Sequence, residues 1–93
     1  MSRFRIFETN EFLARLKRLP VDRQKAVVRK IGEYVYPQLR EEPHYGPNIK
    51  KLKGYKPETW RYRIGDWRVF YTIDHPEKIV AILTMDDRKD AYR

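Results

Sequence analysis

The chain has 93 residues and a formal net charge of +8, from 21 lysines and arginines against 13 aspartates and glutamates, and it contains no cysteine. This length makes one domain over residues 1–93, and a hydrophobic content of 41% supports a packed core, which excludes a disordered basic tail. The lack of cysteine excludes a disulfide framework and a thiolate metal site. Because the core is small, we expect the functional site in a shallow surface groove.

The net positive charge gives information about the binding partners of the protein and not about its fold. A solvated basic surface would account for it, and so would a polyanionic partner such as nucleic acid or an acidic protein. The longest apolar run, Ile79–Leu83, is far too short to span a bilayer, and the N-terminal residues lack the apolar run of a signal peptide. We therefore expect a cytoplasmic protein with no membrane partner.

The N-terminal residues predict a short strand followed by a helix. Alternation of apolar and polar residues predicts a strand that ends near Glu8, and Thr9 or Asn10 can cap the helix with a side-chain oxygen. Apolar residues at helical spacing continue to Leu19, and Pro20 ends the helix.

A second helix follows, since Pro20 suits a first helical turn and apolar residues recur at steps of three and four as far as Leu39. The two helices are expected to form a hairpin with one apolar face. The segment Pro37–Pro47 contains three prolines and a glycine and predicts a loop.

Beyond the loop the apolar period changes from 3.6 to 2. Thr59–Ile64 and Trp67–Ile73 alternate about a two-residue turn, and Lys78–Thr84 is a third strand that is apolar on both faces and therefore interior. Met85–Arg93 is expected to be a short polar tail. The predicted fold is α+β, with an N-terminal strand and a helical hairpin packed on one face of a small, mainly antiparallel β-sheet.

The turn Gly65-Asp66 fixes the register of its hairpin and places Arg63 directly opposite Arg68. One face then carries residues suited to packing against the helices: Trp60, Tyr62, Ile64, Trp67, Val69 and Tyr71. The other face carries Arg61, Arg63, Arg68 and Phe70. Because like charges placed opposite each other cost stability, this clustering favours a function over a structural role. The alternative is an ion-pair network with Asp86 or Asp87.

Two further segments extend the basic character. The segment before the hairpin supplies candidate RNA-binding residues: Lys50, Lys51, Lys53 and Lys56. Among the aromatic residues, Tyr55 and Phe70 are the plausible stackers for unpaired bases. In the tail, Arg88 and Tyr92 are four residues apart and share one side of any helical turn formed there.

Other chemical templates do not fit. His44 in the loop and His75 in a turn have no metal-ligand spacing, and adjacent Asp86 and Asp87 point apart on a strand. Ser2 is the only serine, and no glycine-rich phosphate loop is present. We expect no metal, no cofactor and no small-molecule substrate.

Three segments, KLKG at residues 51–54, WRYRIGDWRVFY at 60–71 and DRKDAYR at 87–93, occur in an order and at a spacing that cover nearly the whole chain. Together they resemble the RelE/ParE superfamily of toxins from type II toxin–antitoxin systems, and the RelE-like branch in particular. RelE-type members are endoribonucleases that enter the ribosomal A site and cut messenger RNA. The resemblance implies helices on one side of the sheet, an active site on the other, and a cognate antitoxin that wraps the helices.

The resemblance also assigns catalytic roles, by the matching of positions, to Arg61, Arg63, Arg68, Arg88 and Tyr92. The chain departs from many relatives at Asp87, where they carry a histidine. A metal-free transphosphorylation is consistent with these residues, with the arginines stabilising charge on the phosphate. Two alternatives remain: a ParE-like inhibitor of DNA gyrase with no ribonuclease site, and a module that binds RNA without cutting it.

Overall fold

The structure, a computed structural model, describes residues 3–87, with side chains described for residues 3–86. Within this part of the chain the helices and strands are β1 Arg5–Glu8, α1 Asn10–Lys17, α2 Val21–Lys30, α3 Tyr36–Glu41, β2 Ile49–Lys51, β3 Trp60–Ile64, β4 Trp67–Asp74 and β5 Ile79–Asp87. A π-helical turn, Ile31–Val35, continues α2 directly into α3.

The strands form one sheet in the order β1-β5-β4-β3-β2. β1 pairs with β5 in parallel, and all other neighbours are antiparallel. The helices pack on one face, so the predicted α+β class and the helical hairpin are confirmed. The third predicted strand is interior, as expected, because β5 lies between β1 and β4.

The core lies between the helices and the face of the sheet that the hairpin pattern assigned to them. Tyr62, Val69 and Tyr71 are buried there, together with residues from β5. The helices contribute Phe12, Leu16, Val27, Ile31, Val35 and Leu39. Burial of this apolar surface contributes roughly 25 cal/mol per Å² and is the main term that holds helices to sheet.

Thr9 joins the start of α1 to the sheet. Its Oγ1 accepts a hydrogen bond from the backbone N–H of Phe12 at 3.2 Å, which caps the helix, and donates one to the carbonyl of Ile82 at 2.7 Å. One hydroxyl therefore satisfies an otherwise unpaired helix donor and fixes the helix against β5.

Two predicted boundaries were wrong, and one strand was missed. The predicted loop does not begin at Pro37, because the π-helical turn places that proline in the first turn of α3, where no N–H is needed, and the helix runs on to Glu41. The third strand does not end at Thr84 but runs to Asp87. A short strand that was not predicted, β2, adds to the sheet edge through pairing of Ile49 with Tyr62.

A bulge in β5 changes which of its residues point into the core. Phe70 faces Thr84 while the next residue, Tyr71, faces Ile82, so Leu83 is an extra residue in β5. Such a bulge shifts the alternation by one position. Met85 therefore points into the core and is fully buried, where the unshifted pattern would have placed Thr84.

Candidate nucleic-acid interface

The sheet face turned away from the helices, called the open face below, carries the predicted arginines in two rows across the strands. The hairpin register is the predicted one, with Arg63 opposite Arg68 and Arg61 opposite Phe70. One row runs through Lys50, Arg61, Phe70 and Thr84. The other runs through Arg63, Arg68 and Asp86. Residues paired across strands share a face, so four cations lie on three adjacent strands.

The arginine cluster, defined as Arg61, Arg63 and Arg68, has no ion pair with any carboxylate among the side chains of residues 3–86. The Nε atoms of Arg61 and Arg68 are buried without a hydrogen-bond partner. Asp86 faces Arg68 across β4 and β5 without forming an ion pair to it. The ion-pair alternative therefore finds no support at Asp86, and the side chain of Asp87 lies outside those described.

Guanidinium groups that have no carboxylate partner favour the binding of an anion to the open face. A buried donor without an acceptor costs about 1–3 kcal/mol, which a bound oxyanion would return through charge-assisted hydrogen bonds. A phosphate group matches the geometry of the guanidinium donors. Because the cations are spread over two rows of the sheet, they suit a chain of phosphates better than a single ion. The open face is thus electrostatically suited to a polynucleotide.

The four predicted RNA-binding lysines do not all lie on this face. Lys50 stands beside Arg61. Lys51 instead faces Trp60, with its Nζ 2.8 Å from a carboxylate oxygen of Glu58 and 6.0 Å from the Trp60 ring centroid. The remaining two, Lys53 and Lys56, lie in the loop after β2, where they line a depression of about 580 Å³ with Tyr55.

A second cleft of about 360 Å³ brings the two predicted stacking residues together. Its lining consists of Glu11, Tyr55, Thr59, Phe70, Leu83, Thr84 and Asp86. Tyr55 also lines the lysine-bearing depression, so the two depressions are adjacent at this residue. Phe70 and Thr84 belong to the same row as Arg61, which places an aromatic wall next to the arginine cluster.

Arg88 and Tyr92 lie outside the described residues, and their catalytic roles stay predictions. Within residues 3–87, no group of three or more histidine, aspartate and glutamate side chains is arranged to hold a metal ion. In that same range no helix has the length and apolar content needed to cross a membrane.

A contact between the two histidines was not predicted. His44 and His75, 31 positions apart, meet with their Nε2 atoms 2.8 Å apart at the end of the sheet, and Glu42 accepts from His44 Nδ1 at 2.8 Å. Only the tertiary fold brings these groups together, since they come from the loop after α3 and the turn between β4 and β5.

A family model described as the ParE toxin of type II toxin–antitoxin system, parDE, matches residues 6–92. No curated protein was found to match. Among solved structures, the RelBE2 toxin–antitoxin complex of Mycobacterium tuberculosis is 29% identical, with 95% of this chain and 94% of that chain covered and a TM-score of 0.71. The archaeal RelE–RelB complex of Pyrococcus horikoshii is 28% identical, with 91% and 94% covered and a TM-score of 0.56. The YoeB dimer of Staphylococcus aureus, 24% identical over 89% and 94% of the two chains, shares the fold with a TM-score of 0.66.

Proposed function

The chain belongs to the ParE toxin family of type II toxin–antitoxin systems, and we propose that it is a ribosome-dependent endoribonuclease that cuts messenger RNA. The observation that carries this proposal is the arginine cluster, whose members have no carboxylate partner among the described side chains. A gyrase inhibitor requires a protein-binding surface but no oxyanion site, whereas phosphoryl transfer requires one.

The proposed reaction is a transphosphorylation that uses no metal. The 2′-oxygen of a ribose attacks the adjacent phosphorus, the bond to the 5′-oxygen breaks, and the products carry a 2′,3′-cyclic phosphate and a 5′-hydroxyl. One proton leaves the 2′-hydroxyl and one is added to the departing oxygen. Negative charge grows on the phosphoryl oxygens, and each preorganised donor of the arginine cluster contributes on the order of 10²–10³ in rate.

Proton transfer falls to the C-terminal residues in this proposal. Tyr92 would orient or deprotonate the 2′-hydroxyl, and Arg88 would bind phosphate or protonate the leaving oxygen. Neither histidine is on the open face, since both lie at the end of the sheet beside Trp60. We therefore expect slow cleavage of free RNA, and faster cleavage where the ribosome holds the message in the reactive geometry.

We also propose an antitoxin protein as a partner. Two of the similar solved structures are toxin–antitoxin complexes. The helical side of this chain has exposed apolar side chains at Leu13, Val21, Val28 and Tyr34. Exposed apolar area next to a basic surface suits a partner that covers the helices and neutralises positive charge.

Primer extension on a reporter messenger RNA in a reconstituted translation reaction tests the proposal. The variants are Arg68→Ala combined with Tyr92→Phe, and Arg29→Ala as a control on the exposed surface of α2. Cuts within the A-site codon that persist in the control and disappear in the double variant would support the nuclease.

Intact message together with trapped DNA breaks in a gyrase reaction would refute the nuclease and favour the gyrase alternative. Intact message with tight RNA binding would instead favour the binding module. In that case Arg63→Ala with Arg68→Ala should lower the affinity and flatten its salt dependence.

A further inference from the structure

A chain of three titratable side chains lies away from the arginine cluster, at the end of the sheet. Glu42 accepts a hydrogen bond from His44 Nδ1 at 2.8 Å, and His44 Nε2 lies 2.8 Å from Nε2 of His75. The two imidazole rings meet end to end through these nitrogens, with centroids 5.0 Å apart and planes 21° from parallel. These are the only histidines in the chain.

The hydrogen bonds from His44 to Glu42 determine which ring nitrogen of His44 carries a lone pair. Glu42 also accepts from the backbone N–H of His44 at 3.1 Å, so its carboxylate is held in place and keeps a proton on Nδ1 of that histidine. The free nitrogen of neutral His44 is then Nε2, and its lone pair is directed at Nε2 of His75.

We propose that His44 and His75 form a binding site for one divalent transition-metal ion, which takes the place of the proton shared by their Nε2 atoms. Imidazole nitrogen suits Zn²⁺, Cu²⁺ and Ni²⁺, whereas Ca²⁺ and Mg²⁺ require oxygen ligands. Metal–nitrogen bonds of about 2.0–2.1 Å at a tetrahedral angle place the two nitrogens about 3.3 Å apart. His75 is exposed on a turn, so a small rotation of its ring opens the gap from 2.8 Å.

The surroundings of His44 have the features of an outer coordination shell. Metal-bound histidines commonly donate their second ring N–H to a carboxylate, which is the role Glu42 already performs. The Trp60 ring packs edge-on against His44 at 5.4 Å, and Phe4 does so at 6.1 Å. The more buried imidazole is therefore held by these three contacts, while the exposed one has room to adjust.

Solvent would fill the remaining coordination positions, since Glu58 is already engaged by a lysine. Its carboxylate forms an ion pair with Lys51, whose Nζ lies 2.8 Å away. Within the described residues no group of three or more possible ligands is in place to hold a metal ion. We expect affinity below that of a closed four-ligand site, and selectivity for transition metals over Mg²⁺.

Calorimetric titration of the full chain, free of any histidine tag and treated with chelator, with Zn²⁺ tests the site. We expect one ion per chain, a higher melting temperature with Zn²⁺ and no effect of Mg²⁺, because an ion that binds the folded state stabilises it. His75→Gln should abolish both effects, Glu42→Gln should weaken binding 10–100-fold, and Glu77→Gln on the same turn should change neither.

Wild-type protein that binds no Zn²⁺ would overturn the proposal. So would undiminished binding by His75→Gln, whose exposed position on a turn keeps the variant folded. Nuclear magnetic resonance of the imidazole nitrogens supplies a second readout, since Zn²⁺ should shift both Nε2 signals while both Nδ1 signals move less. The outcome is independent of the proposed RNA cleavage, because neither RNA nor the ribosome takes part in the titration.

Discussion

We expect Arg68→Met to raise the free energy of unfolding, because Arg68 destabilises the folded protein in two ways. Its Nε is buried without an acceptor, at a cost of about 1–3 kcal/mol, and Arg63 stands directly opposite with the same charge. Methionine keeps an unbranched apolar stem that covers the same surface while removing both costs. After allowance for lost solvation of the exposed guanidinium nitrogens, the expected gain is about 1–2 kcal/mol.

Urea unfolding followed by tryptophan fluorescence measures this gain, and the melting temperature should rise by about 4–8 °C per kcal/mol for a domain of this size. Arg29→Met on the exposed surface of α2 is the matched control and should change stability by less than about 0.5 kcal/mol. Arg63→Met combined with Arg68→Met should gain less than the sum of the single changes, since either one removes the repulsion. A loss of stability in Arg68→Met would refute the reasoning and assign the cluster a structural role.

Three further changes test the fold. Thr9→Val should lower the free energy of unfolding by about 1–2 kcal/mol in urea titration, because the helix cap and the bond to β5 are both lost. Tyr71→Phe should cost about 1–3 kcal/mol, since the buried Tyr71 hydroxyl donates to the Pro43 carbonyl at 2.8 Å. Burial raises the pKa of Tyr71, so stability present below about pH 10 declines above it in the wild type, and more gently in this variant. Gly65→Ala should cost about 1–2 kcal/mol at a φ of +57°, whereas Gly32→Ala, into open space, should cost nothing.

Each of these predictions has an outcome that contradicts it. Full stability in Thr9→Val would mean that water replaces the cap. An unchanged alkaline decline in Tyr71→Phe would assign that decline to Tyr36, whose pKa is raised above its ordinary value mainly by burial and then by its hydrogen bond to Glu8. Equal effects at the two glycines would show that backbone conformation does not limit the hairpin turn.

The hairpin and its two faces could be predicted because the information is local. Gly65 supplies the positive φ that a two-residue turn requires, and from that turn the period of two fixes every pair from Ile64–Trp67 to Trp60–Tyr71. The arginine cluster followed directly from this register. Its lack of carboxylate partners did not, since that depends on where Asp86 lies after the bulge in β5.

The missed features depend on interactions between distant segments. The bulge at Leu83 places Met85 in the core, and nothing in the alternation of β5 alone indicates the shift. Pro37 reads as a helix breaker unless the π-helical turn before it is known. The meeting of His44 with His75 requires the loop after α3 and the β4–β5 turn to reach the same end of the sheet.

Synthesis from the N-terminus delivers β5 last among these strands, although β5 lies between β1 and β4. Until residues 79–87 have been made, β1 has no neighbour in the sheet, α1 lacks the carbonyl that its Thr9 hydroxyl contacts, and β4 has an unpaired edge. A lone hairpin of β3 and β4 is only marginally stable in water, so its arginines are not held in fixed positions. A ribosome that stops before Ile79 therefore releases a fragment without an assembled open face.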